Sequence, residues 1–435
     1  MYTIESISRQ LKERLIAYLQ ADYHILNDSL IEARFKLLDN DNVIENEPRL
    51  EGSKRYPPGK RYKDMRIPDA SKTLLRQLSE IPNSGVWPTP REHQQKAIEI
   101  FLQDKDDLIV ATGTGSGKTE TFLYPIFGSL ALENKNPNTL EMSGVRCLLL
   151  YPMNALVNDQ LTRLRGILGN KHCKKIFKEV RGRHVTFGTY TSKTQYPGPK
   201  TAKKEKDLIK KLQETYLPND SKTSQKLEKY NLYPAKDIAT FTDSECSINL
   251  EDAELYTRHE VQQSPPDILI TNYSMLEYMM LRPIERDIFT KTKAWLEADK
   301  SNYFTVVLDE AHIYKGVLGS EISYLLKRLY SRLNIPRERV RIIITTASIG
   351  EENTKAKDFA QILTGKSTEN IFQIIQDEVF PIGDIKHSDL KKEIEKIGDF
   401  NINCIHDYKE INEPINQLTA LFKSLKLSGL SNSIS

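Results

Sequence analysis

The chain has 435 residues, and its 62 lysines and arginines nearly balance its 59 aspartates and glutamates, which leaves a net charge of +3. This balance permits nucleic-acid binding without requiring it, so any polyanion site must be local. The four cysteines show no C-x-x-C pairing or zinc-ligand spacing, and no run approaches the roughly 18 apolar residues of a membrane span. We therefore expect a soluble, cytoplasmic protein with reduced cysteines and no membrane partner.

Residues 1–86 are predicted to form a mainly helical accessory region. Apolar side chains recur there at helical spacing, at Ile4, Ile7, Leu11, Leu15 and Leu19. A stretch rich in proline, arginine and tyrosine follows at residues 55–62, where proline excludes a regular helix. This stretch suits either a packed loop or a contact to a phosphate backbone, and we favour the packed loop because most loops merely connect.

Residues 87–350 alternate short β-branched runs with helical segments, which predicts an α/β domain with a parallel sheet and crossover helices. Several candidate strands end in a polar or glycine-containing loop, where open α/β sheets bind ligands. The candidate strands are residues 108–111, 147–151, 185–188, 268–271, 306–308 and 341–345.

A glycine-rich turn joins the first candidate strand to a helix that begins near Lys118. Backbone N–H groups of such a turn point at a polyphosphate, the lysine reaches the β- and γ-phosphates, and the hydroxyl of Thr119 holds Mg²⁺. The usual first glycine of this motif is replaced by Thr112. The predicted nucleotide-binding residues are Thr112, Gly113, Thr114, Gly115, Ser116, Gly117, Lys118 and Thr119.

A second motif follows the apolar run at residues 306–308. Asp309 lies at the carboxyl end of the predicted strand, where its side chain can bind the Mg²⁺ shell. Glu310 lies next to Asp309 and can deprotonate the attacking water. An Asp-Glu pair can also be a solvated loop. The preceding strand and the upstream phosphate loop favour the catalytic interpretation.

Residues 193–252 interrupt the alternating pattern and are predicted to be an insertion. The insertion is rich in lysine, and we favour a solvated helical excursion over a nucleic-acid clamp because acidic residues are interleaved with the lysines. Beyond residue 350 the chain has a helical segment near residues 355–363 and an isoleucine-rich alternation near residues 371–375. We interpret residues 351–435 as a C-terminal extension or a truncated linker.

Long segments at residues 151–160, 267–278 and 309–316 occur in the order found in one family. Together with the two nucleotide motifs, they make residues 87–350 resemble the first RecA-like domain of superfamily 2 DExH-box helicases. The resemblance is closest to the branch of Hrq-like and MrfA-like DNA helicases and to the large helicases of bacterial anti-phage systems such as Druantia and DISARM. It implies a RecA-like P-loop domain that uses ATP and Mg²⁺.

The resemblance also implies roles for single residues. Lys118, Asp309 and Glu310 match the catalytic residues, and Gln94 matches the glutamine that reads the adenine edge. The residues that match the nucleic-acid-gripping loops are Pro152, Asn154, Ala155, Thr271, Asn272 and Tyr273. The residues that match the segments coupling hydrolysis to movement are His312, Thr346, Ala347 and Ser348, the last three standing where the family has Ser-Ala-Thr.

Simpler interpretations stay open for some of these positions. Gln94 could be an exposed helix residue and Asn154 a helix cap. Four side chains after the fourth candidate strand are expected to pack in the core rather than touch a base, namely Tyr273, Met275, Leu276 and Tyr278.

By resemblance, the chain is the N-terminal half of an ATP-dependent DNA helicase or translocase of an anti-phage or repair system. Its expected partners are DNA, a second RecA-like domain in cis or in trans, and other defence subunits. That second domain supplies arginines to the transition state, and residues 351–435 contain no matching arginine-rich segment, so we expect this chain alone to turn over ATP very slowly. A truncated chain, a natural split motor and a non-hydrolysing binding module all remain open, as does an RNA helicase.

Overall fold

The structure is a computed structural model that describes residues 4–23, 25–40, 43–44, 56–113, 115–196, 198–217, 227, 230–249, 251–347, 353–367 and 372–376. The chain divides into two compact units. One consists of Met1–Arg55 with Val379–Ser435, and the other is Tyr56–Glu378. In the first unit the described elements are two helices, α1 (Ile4–Asp22) and α2 (Asp28–Asp39), which are joined by a hydrogen bond from Lys12 Nζ to the Asp39 carbonyl oxygen at 2.9 Å.

The second unit is built on one sheet of eight parallel strands, in the order β4-β3-β5-β2-β6-β7-β1-β8. All five residues of β1, β2 and β6 are buried, which explains why these strands read as continuous apolar runs. The strands are β1 (Asp107–Ala111), β2 (Cys147–Tyr151), β3 (Phe187–Tyr190), β4 (Glu254–Leu255), β5 (Ile268–Asn272), β6 (Phe304–Leu308), β7 (Val340–Thr346) and β8 (Phe372–Gln376).

Helices connect these strands and cover both faces of the sheet. They are α3 (Asp69–Ser79), α4 (Glu92–Glu99), α5 (Lys118–Ala131), α6 (Pro137–Leu140), α7 (Asn154–Leu168), α8 (Lys171–Arg181), α9 (Ala202–Tyr216), α10 (Ile238–Asp243), α11 (Arg258–Gln263), α12 (Tyr273–Leu281), α13 (Arg286–Ala298), α14 (Gly316–Leu333) and α15 (Asn353–Thr364).

Alternate residues of the strands point into two separate cores. On one face Leu149 and Val307 pack with apolar side chains of α3, α4, α5, α7 and α8. On the other face Leu148 and Val306 pack with side chains of α12, α13, α14 and α15. The predicted α/β fold with a parallel sheet flanked by helices is therefore confirmed, and its carboxyl edge carries the loops considered below.

The predicted insertion contributes a small core of its own. Leu208 and Leu212 of α9 pack against Ile238 and Phe241 of α10, and Tyr196 completes this cluster. The buried Lys236 Nζ beside it forms ion pairs with Asp252 at 2.5 Å and Glu260 at 2.8 Å.

The predicted domain limits at residues 86 and 350 stay predictions. The compact unit that contains the sheet extends past both limits, because α3 packs in one core and β8 pairs with β1. One expectation about the core is wrong: Tyr278 is 58% exposed, whereas Met275 and Leu276 are buried as expected. Tyr278 lies on the outer side of α12, on the helical face opposite Leu276.

Two further observations concern the described ranges alone. None of their helices is both long and apolar enough to span a membrane. Their three cysteines, Cys147, Cys173 and Cys246, are free, and Cys404 lies outside the described residues.

Candidate functional site

The strand order brings the predicted site loops to one edge of the sheet. β5, β2, β6, β7 and β1 are consecutive neighbours, and all run in the same direction. The carboxyl ends of these strands therefore lie side by side. Along this edge, the loop after Ala111 is followed by Thr346, then Asp309, then Tyr151 and then Asn272. The sequence motifs lie far apart along the chain and converge only through this topology.

The phosphate loop between β1 and α5 depends on two glycines in left-handed backbone conformations. Gly115 has φ +76° and Gly117, which precedes the first residue of α5, has φ +81°. A Cβ atom on Gly117 would lie 2.4 Å from Nε2 of Gln94, whereas nothing lies within 4 Å of a Cβ built on Gly115. The backbone conformation thus favours glycine at position 117, and a side chain there would also displace the Gln94 amide.

Residues at the start of α4 hold this loop by its carbonyl oxygens. Arg91 Nη1 donates to Gly115 O at 2.8 Å, His93 Nε2 lies 3.0 Å from Ser116 O, and Gln94 Nε2 donates to Gly117 O at 3.1 Å. Gln94 is 3% exposed, which rules out the alternative of an exposed helix residue. The loop-holding contacts of Arg91 and His93 were not predicted, although both flank Gln94 in the sequence.

Two side chains inside the loop region are also fixed. Thr112 Oγ1 and Ser116 Oγ lie 2.6 Å apart, and both residues are buried. Gln160 Nε2 of α7 donates to Thr119 Oγ1 at 3.2 Å, a contact that sequence reasoning missed. Thr114 lies outside the described residues, and Gly113 belongs to the same turn. Thr112, which stands where the motif usually has glycine, therefore adds a hydrogen bond within the loop, between its hydroxyl and that of Ser116.

Lys118 and Glu310 face each other across the two motifs. Lys118 Nζ lies 3.7 Å from Glu310 Oε1. Both side chains keep unused hydrogen-bonding capacity, since Lys118 Nζ and Glu310 Oε2 are buried without a hydrogen-bond partner among the described residues. A buried ammonium group and a buried carboxylate oxygen without partners are costly unless a further group binds between them.

Asp309 is the other carboxylate of this pair. Its Oδ1 accepts hydrogen bonds from the Thr345 hydroxyl and from the Glu310 backbone N–H, the latter at 3.1 Å. Burial raises the pKa of the Asp309 carboxyl above its ordinary value, while the Thr345 hydroxyl and Lys118 act in the opposite direction. A cation bound at this carboxylate would favour the ionised form.

Glu310 adopts a left-handed backbone conformation with φ +51°. For a residue with a Cβ atom this conformation costs of order 1 kcal/mol or more and is typical of functional sites. His312 Nδ1 lies 3.3 Å from Glu310 Oε2. Of the predicted coupling segment, Thr346 is buried at the end of β7, Ala347 is exposed, and Ser348 lies outside the described residues.

The residues predicted to grip nucleic acid form a second group on the same edge. Asn272 Nδ2 donates to Asn154 Oδ1 at 2.7 Å, and Asn154 Nδ2 donates to Ser192 Oγ at 3.3 Å. Asn272 Oδ1 also caps α12 by accepting from Met275 N at 2.8 Å. Ser192 was not predicted. The residue before α7 is Met153, so Asn154 is the first helical residue and not its N-cap.

The other predicted members of this group differ in exposure. Ala155 is exposed, Pro152 and Tyr273 are half-buried, and Thr271 is buried. The Thr271 hydroxyl donates to the Tyr190 carbonyl oxygen at 2.6 Å, which ties β5 to β3. The structure therefore gives Thr271 a contact within the sheet and leaves Ala155 accessible at the edge.

The residues present fit a magnesium-bound nucleotide. The fit follows from Lys118 Nζ, which has no hydrogen-bond partner among the described residues, beside the phosphate loop, with the Thr119 hydroxyl in the first turn of α5 and the Asp309 carboxylate directly after β6. Mg²⁺ in nucleotide sites uses one or two protein oxygen ligands together with phosphate oxygens. Lys118 would hold the phosphates, and Thr119 and Asp309 would hold the metal.

Part of the chain matches a known protein family. Residues 91–207, which include the phosphate loop and the first nucleic-acid loop, match the DEAD/DEAH box helicase family. The resemblance to helicases that the sequence motifs predict is thereby confirmed for this part of the chain.

Relatives of this helicase domain occur in much longer proteins. The chain is 40% identical to the Druantia protein DruE of Escherichia coli over 97% of its own length and 24% of the length of DruE. It is 24% identical to an uncharacterized ATP-dependent helicase, MJ1574, of Methanocaldococcus jannaschii, over 64% of this chain and 28% of that protein. The chain thus spans about a quarter of the length of these curated relatives.

A structural neighbour is the helicase MrfA bound to DNA, with a TM-score of 0.43 and 19% identity, covering 92% of this chain and 44% of MrfA. At this TM-score, the fold of the present chain is best described by its own strand order and loops.

Proposed function

We propose that this chain is the nucleotide-binding half of an ATP-dependent DNA helicase or translocase. The observation that carries the proposal is the pair formed by Lys118 and Glu310, 3.7 Å apart, each with a buried polar atom that lacks a partner among the described residues. This pair lies between a phosphate loop and a metal-binding carboxylate, which is the arrangement that phosphoryl transfer requires.

Within this proposal, the chain's own groups bind, orient and accept a proton. The Lys118 ammonium group and the loop N–H groups hold the phosphates, and Gln94 restricts the base to adenine with its side-chain amide. Bound Mg²⁺ would neutralise charge that develops on the phosphate oxygens. Glu310 Oε2, which accepts no hydrogen bond from the described residues, accepts the proton of the attacking water, and His312 Nδ1 lies 3.3 Å from this oxygen.

The second group of residues at the carboxyl edge supports nucleic-acid binding. Asn154, Asn272 and Ser192 form a continuous chain of hydrogen bonds across three strand ends. Such loops grip phosphates and sugars and do not read bases, so the proposed contact is with one strand and is independent of sequence. His312, Thr346, Ala347 and Ser348 would couple this grip to hydrolysis.

The proposed catalytic cycle needs a second motor domain. An arginine supplied from such a domain increases the rate of related phosphoryl transfers by about 10³–10⁵-fold. We propose that this chain alone binds ATP but hydrolyses it very slowly, and that a second RecA-like domain in cis or in trans completes the site. The long relatives support this view, since the chain corresponds to only 24% of DruE.

We propose anti-phage defence as the biological setting. The support is the 40% identity to the Druantia protein DruE across nearly the whole chain, together with the motif resemblance to defence helicases. Other subunits of the same defence system are then expected partners. DNA is favoured over RNA on the same grounds, and an RNA remodelling enzyme is the alternative outcome of the experiment below.

ATP hydrolysis should be measured on the chain alone and on the chain joined to its second motor domain, each with no nucleic acid, single-stranded DNA or single-stranded RNA. The expected result is DNA-stimulated hydrolysis by the joined form alone, abolished by Glu310→Gln. Stimulation by RNA in place of DNA would favour the RNA helicase. ATP binding without turnover in either form would replace the motor with a nucleotide-gated binding module.

A further inference from the structure

A cavity of about 410 Å³ lies at the amino edge of the sheet, opposite the phosphate loop. Residues at or next to the amino ends of three neighbouring strands line it, namely Cys147 of β2, Thr305 of β6 and Arg341 of β7. Its size is within the range of sites that bind small organic molecules. No part of the proposed ATP or nucleic-acid site contributes to it.

Arg341 brings a buried positive charge to this cavity. The residue is 9% exposed, and its Nη2 donates to the carbonyl oxygens of Phe101 at 2.5 Å and Asp106 at 3.4 Å. Its Nε atom is buried without a partner among the described residues. The nearby carboxylate of Asp107 is bound by Lys366 at 3.0 Å. The hydrogen-bond acceptors of Arg341 among the described residues are therefore neutral oxygen atoms, and the Asp107 and Asp106 carboxylates attract its guanidinium without a hydrogen bond to it, which compensates a buried guanidinium only partly.

A second donor in the cavity wall also lacks an acceptor. Trp295 is 2% exposed, lines the cavity, and its Nε1–H has no hydrogen-bond partner in the described part of the chain. The Arg146 guanidinium stacks on the Trp295 ring at 4.6 Å from the ring centroid. A buried indole N–H normally finds an acceptor. Arg341 and Trp295 thus both line the cavity, and each has a buried donor without an acceptor among the described residues, which a small side-chain movement would expose to a ligand.

The other lining residues indicate the charge and polarity of that ligand. Lys105 and Lys135 are exposed residues of the lining, so they add positive charge where solvent reaches it. Among the described residues of the lining, Glu133 is the only carboxylate, and its oxygens accept from Arg146 and Arg181. Apolar wall is supplied by Phe101, Leu102 and Leu130. Positive charge with an apolar wall fits an anionic group on an apolar body.

We propose that this cavity binds a small organic anion, with a carboxylate or phosphate group at Arg341 and Trp295 Nε1 and an aromatic or aliphatic body against Phe101 and Leu130. The site is distinct from the proposed ATP site and does not depend on the proposed function. Burial lowers the pKa of the Arg341 guanidinium, which is consistent with a charge that an anion would stabilise.

The two tryptophans of the chain make a direct test possible, because Trp295 lines the cavity and Trp87 is 65% exposed elsewhere. The full chain would be labelled with 5-fluorotryptophan, and ¹⁹F spectra recorded during titrations with benzoate and phenyl phosphate. Benzyl alcohol and benzylamine are the neutral and cationic controls. A fragment of this size is expected to bind with a Kd of about 1 mM.

The expected result is a saturable shift of the Trp295 signal with an anionic probe, no shift of Trp87, and no saturation with the control probes. Arg341→Met should weaken binding at least about tenfold, as expected for loss of a charge-assisted contact, whereas Arg328→Met, an exposed arginine on α14, should not. If Arg341→Met does not fold, Lys135→Met at the exposed part of the lining should still weaken binding a few-fold. Benzoate alone would assign the site to carboxylates, and phenyl phosphate alone would assign it to phosphates.

The Lys118→Met variant should keep the Trp295 shift, which separates this site from the phosphate loop. No saturable Trp295 shift with either anion, or equal binding of benzyl alcohol and benzoate, would overturn the proposal. Retention of full affinity by a folded Arg341→Met variant would do the same.

Discussion

Buried charged groups are hydrogen-bonded to one another at the amino edge of the sheet, whereas two at its carboxyl edge have atoms without a hydrogen-bond partner among the described residues. At the amino edge, the Asp267 carboxylate receives hydrogen bonds from Arg181 and Arg183, and Arg146 lies 3.3 Å from its Oδ1. Glu133 bridges Arg146 and Arg181. At the carboxyl edge, Lys118 and Glu310 lie 3.7 Å apart, and each has a buried atom without a partner among the described residues.

This difference separates stability from function. A buried carboxylate surrounded by arginines lowers the energy of the folded state only while every member is present. Buried charged groups that lack hydrogen-bond partners, together with the left-handed backbone of Glu310, raise that energy and are tolerated where a ligand binds. Substitutions at the amino edge should therefore change folding, and substitutions at the carboxyl edge should change binding. Arg341 in the cavity is the exception, an amino-edge charge whose hydrogen bonds go to backbone carbonyl oxygens and not to a carboxylate.

The largest effect is expected for Asp267→Asn. Removing this carboxylate leaves three arginines with one fewer acceptor, and Asp267 and Arg181 are fully buried. We expect a loss of about 3–5 kcal/mol in the free energy of unfolding, measured by urea denaturation, and an unchanged Kd for ATP in the fraction that folds. Asp207→Asn, an exposed aspartate on α9, is the control and should change stability little.

The pH dependence of this effect has a definite sign. Burial alone would raise the pKa of the Asp267 carboxyl, but attraction by Arg181, Arg183 and Arg146 outweighs burial, so this pKa lies well below its ordinary value. The stabilisation is therefore complete above the unfolded pKa of about 3.9 and is lost as the pH falls through the folded pKa. The stability difference between wild type and Asp267→Asn should be constant near neutral pH and should shrink below about pH 4. A difference that grows on acidification would contradict the proposed network.

Lys118→Met tests the opposite edge. The substitution removes an ammonium group that has no hydrogen-bond acceptor among the described residues, so stability should change little or even increase. ATP affinity should fall about 100-fold, because a charge-assisted contact to phosphate is lost in a partly buried site. Titration with a fluorescent ATP analogue measures the affinity. The matched control is Lys175→Met, at an exposed lysine of α8, and equal losses in both variants would show that the phosphate loop is not the binding site.

The sequence predicted the functional residues of the carboxyl edge but not the ion-pair network of the amino edge. Six strands were predicted with ends within two residues, because buried parallel strands form continuous apolar runs. The phosphate loop and the Asp309-Glu310 pair were found because their ligands require fixed local spacing. The amino-edge network has no such pattern, since Asp267 and its partner Arg181 are 86 positions apart. Pairing of β8 with β1 was missed because an isoleucine-rich alternation does not specify which strand it joins.

Residues that support the phosphate loop were missed for the same reason, because their contacts leave no local sequence pattern. Arg91 and His93 contact the loop from α4, and Gln160 contacts it from α7, through tertiary packing that local spacing does not encode. Tyr278 was expected in the core, but it lies on the outer face of α12 and is 58% exposed. Roles in catalysis, base preference and nucleic-acid binding stay predictions, and the next two experiments test the last two of them.

A pair of alanine substitutions isolates the contact between Gln94 and the phosphate loop. Gly115 and Gly117 have similar left-handed backbones, so either substitution should cost about 1–2 kcal/mol in stability. Only the Cβ atom of Gly117→Ala would collide with Gln94 Nε2, at 2.4 Å. We expect Gly117→Ala to reduce the preference for ATP over GTP, measured as a ratio of Kd values, and Gly115→Ala to preserve it. Equal loss in both variants would attribute the effect to backbone strain.

The smallest effect, and the one that separates binding from stability most finely, is expected in the asparagine pair at the nucleic-acid loops. Asn272 both caps α12 and donates to Asn154, whereas Asn154 caps no helix. Asn272→Ala should therefore lower stability by about 1 kcal/mol and weaken single-stranded DNA binding a few-fold. Asn154→Ala should weaken DNA binding to a similar extent with little change in stability. Fluorescence anisotropy with labelled DNA and urea denaturation on the two single variants and the double variant give the coupling, expected to be about 0.5–1.5 kcal/mol. If the loss of DNA affinity follows the loss of stability across the wild type and the three variants, these loops stabilise the sheet edge and do not contact the DNA strand.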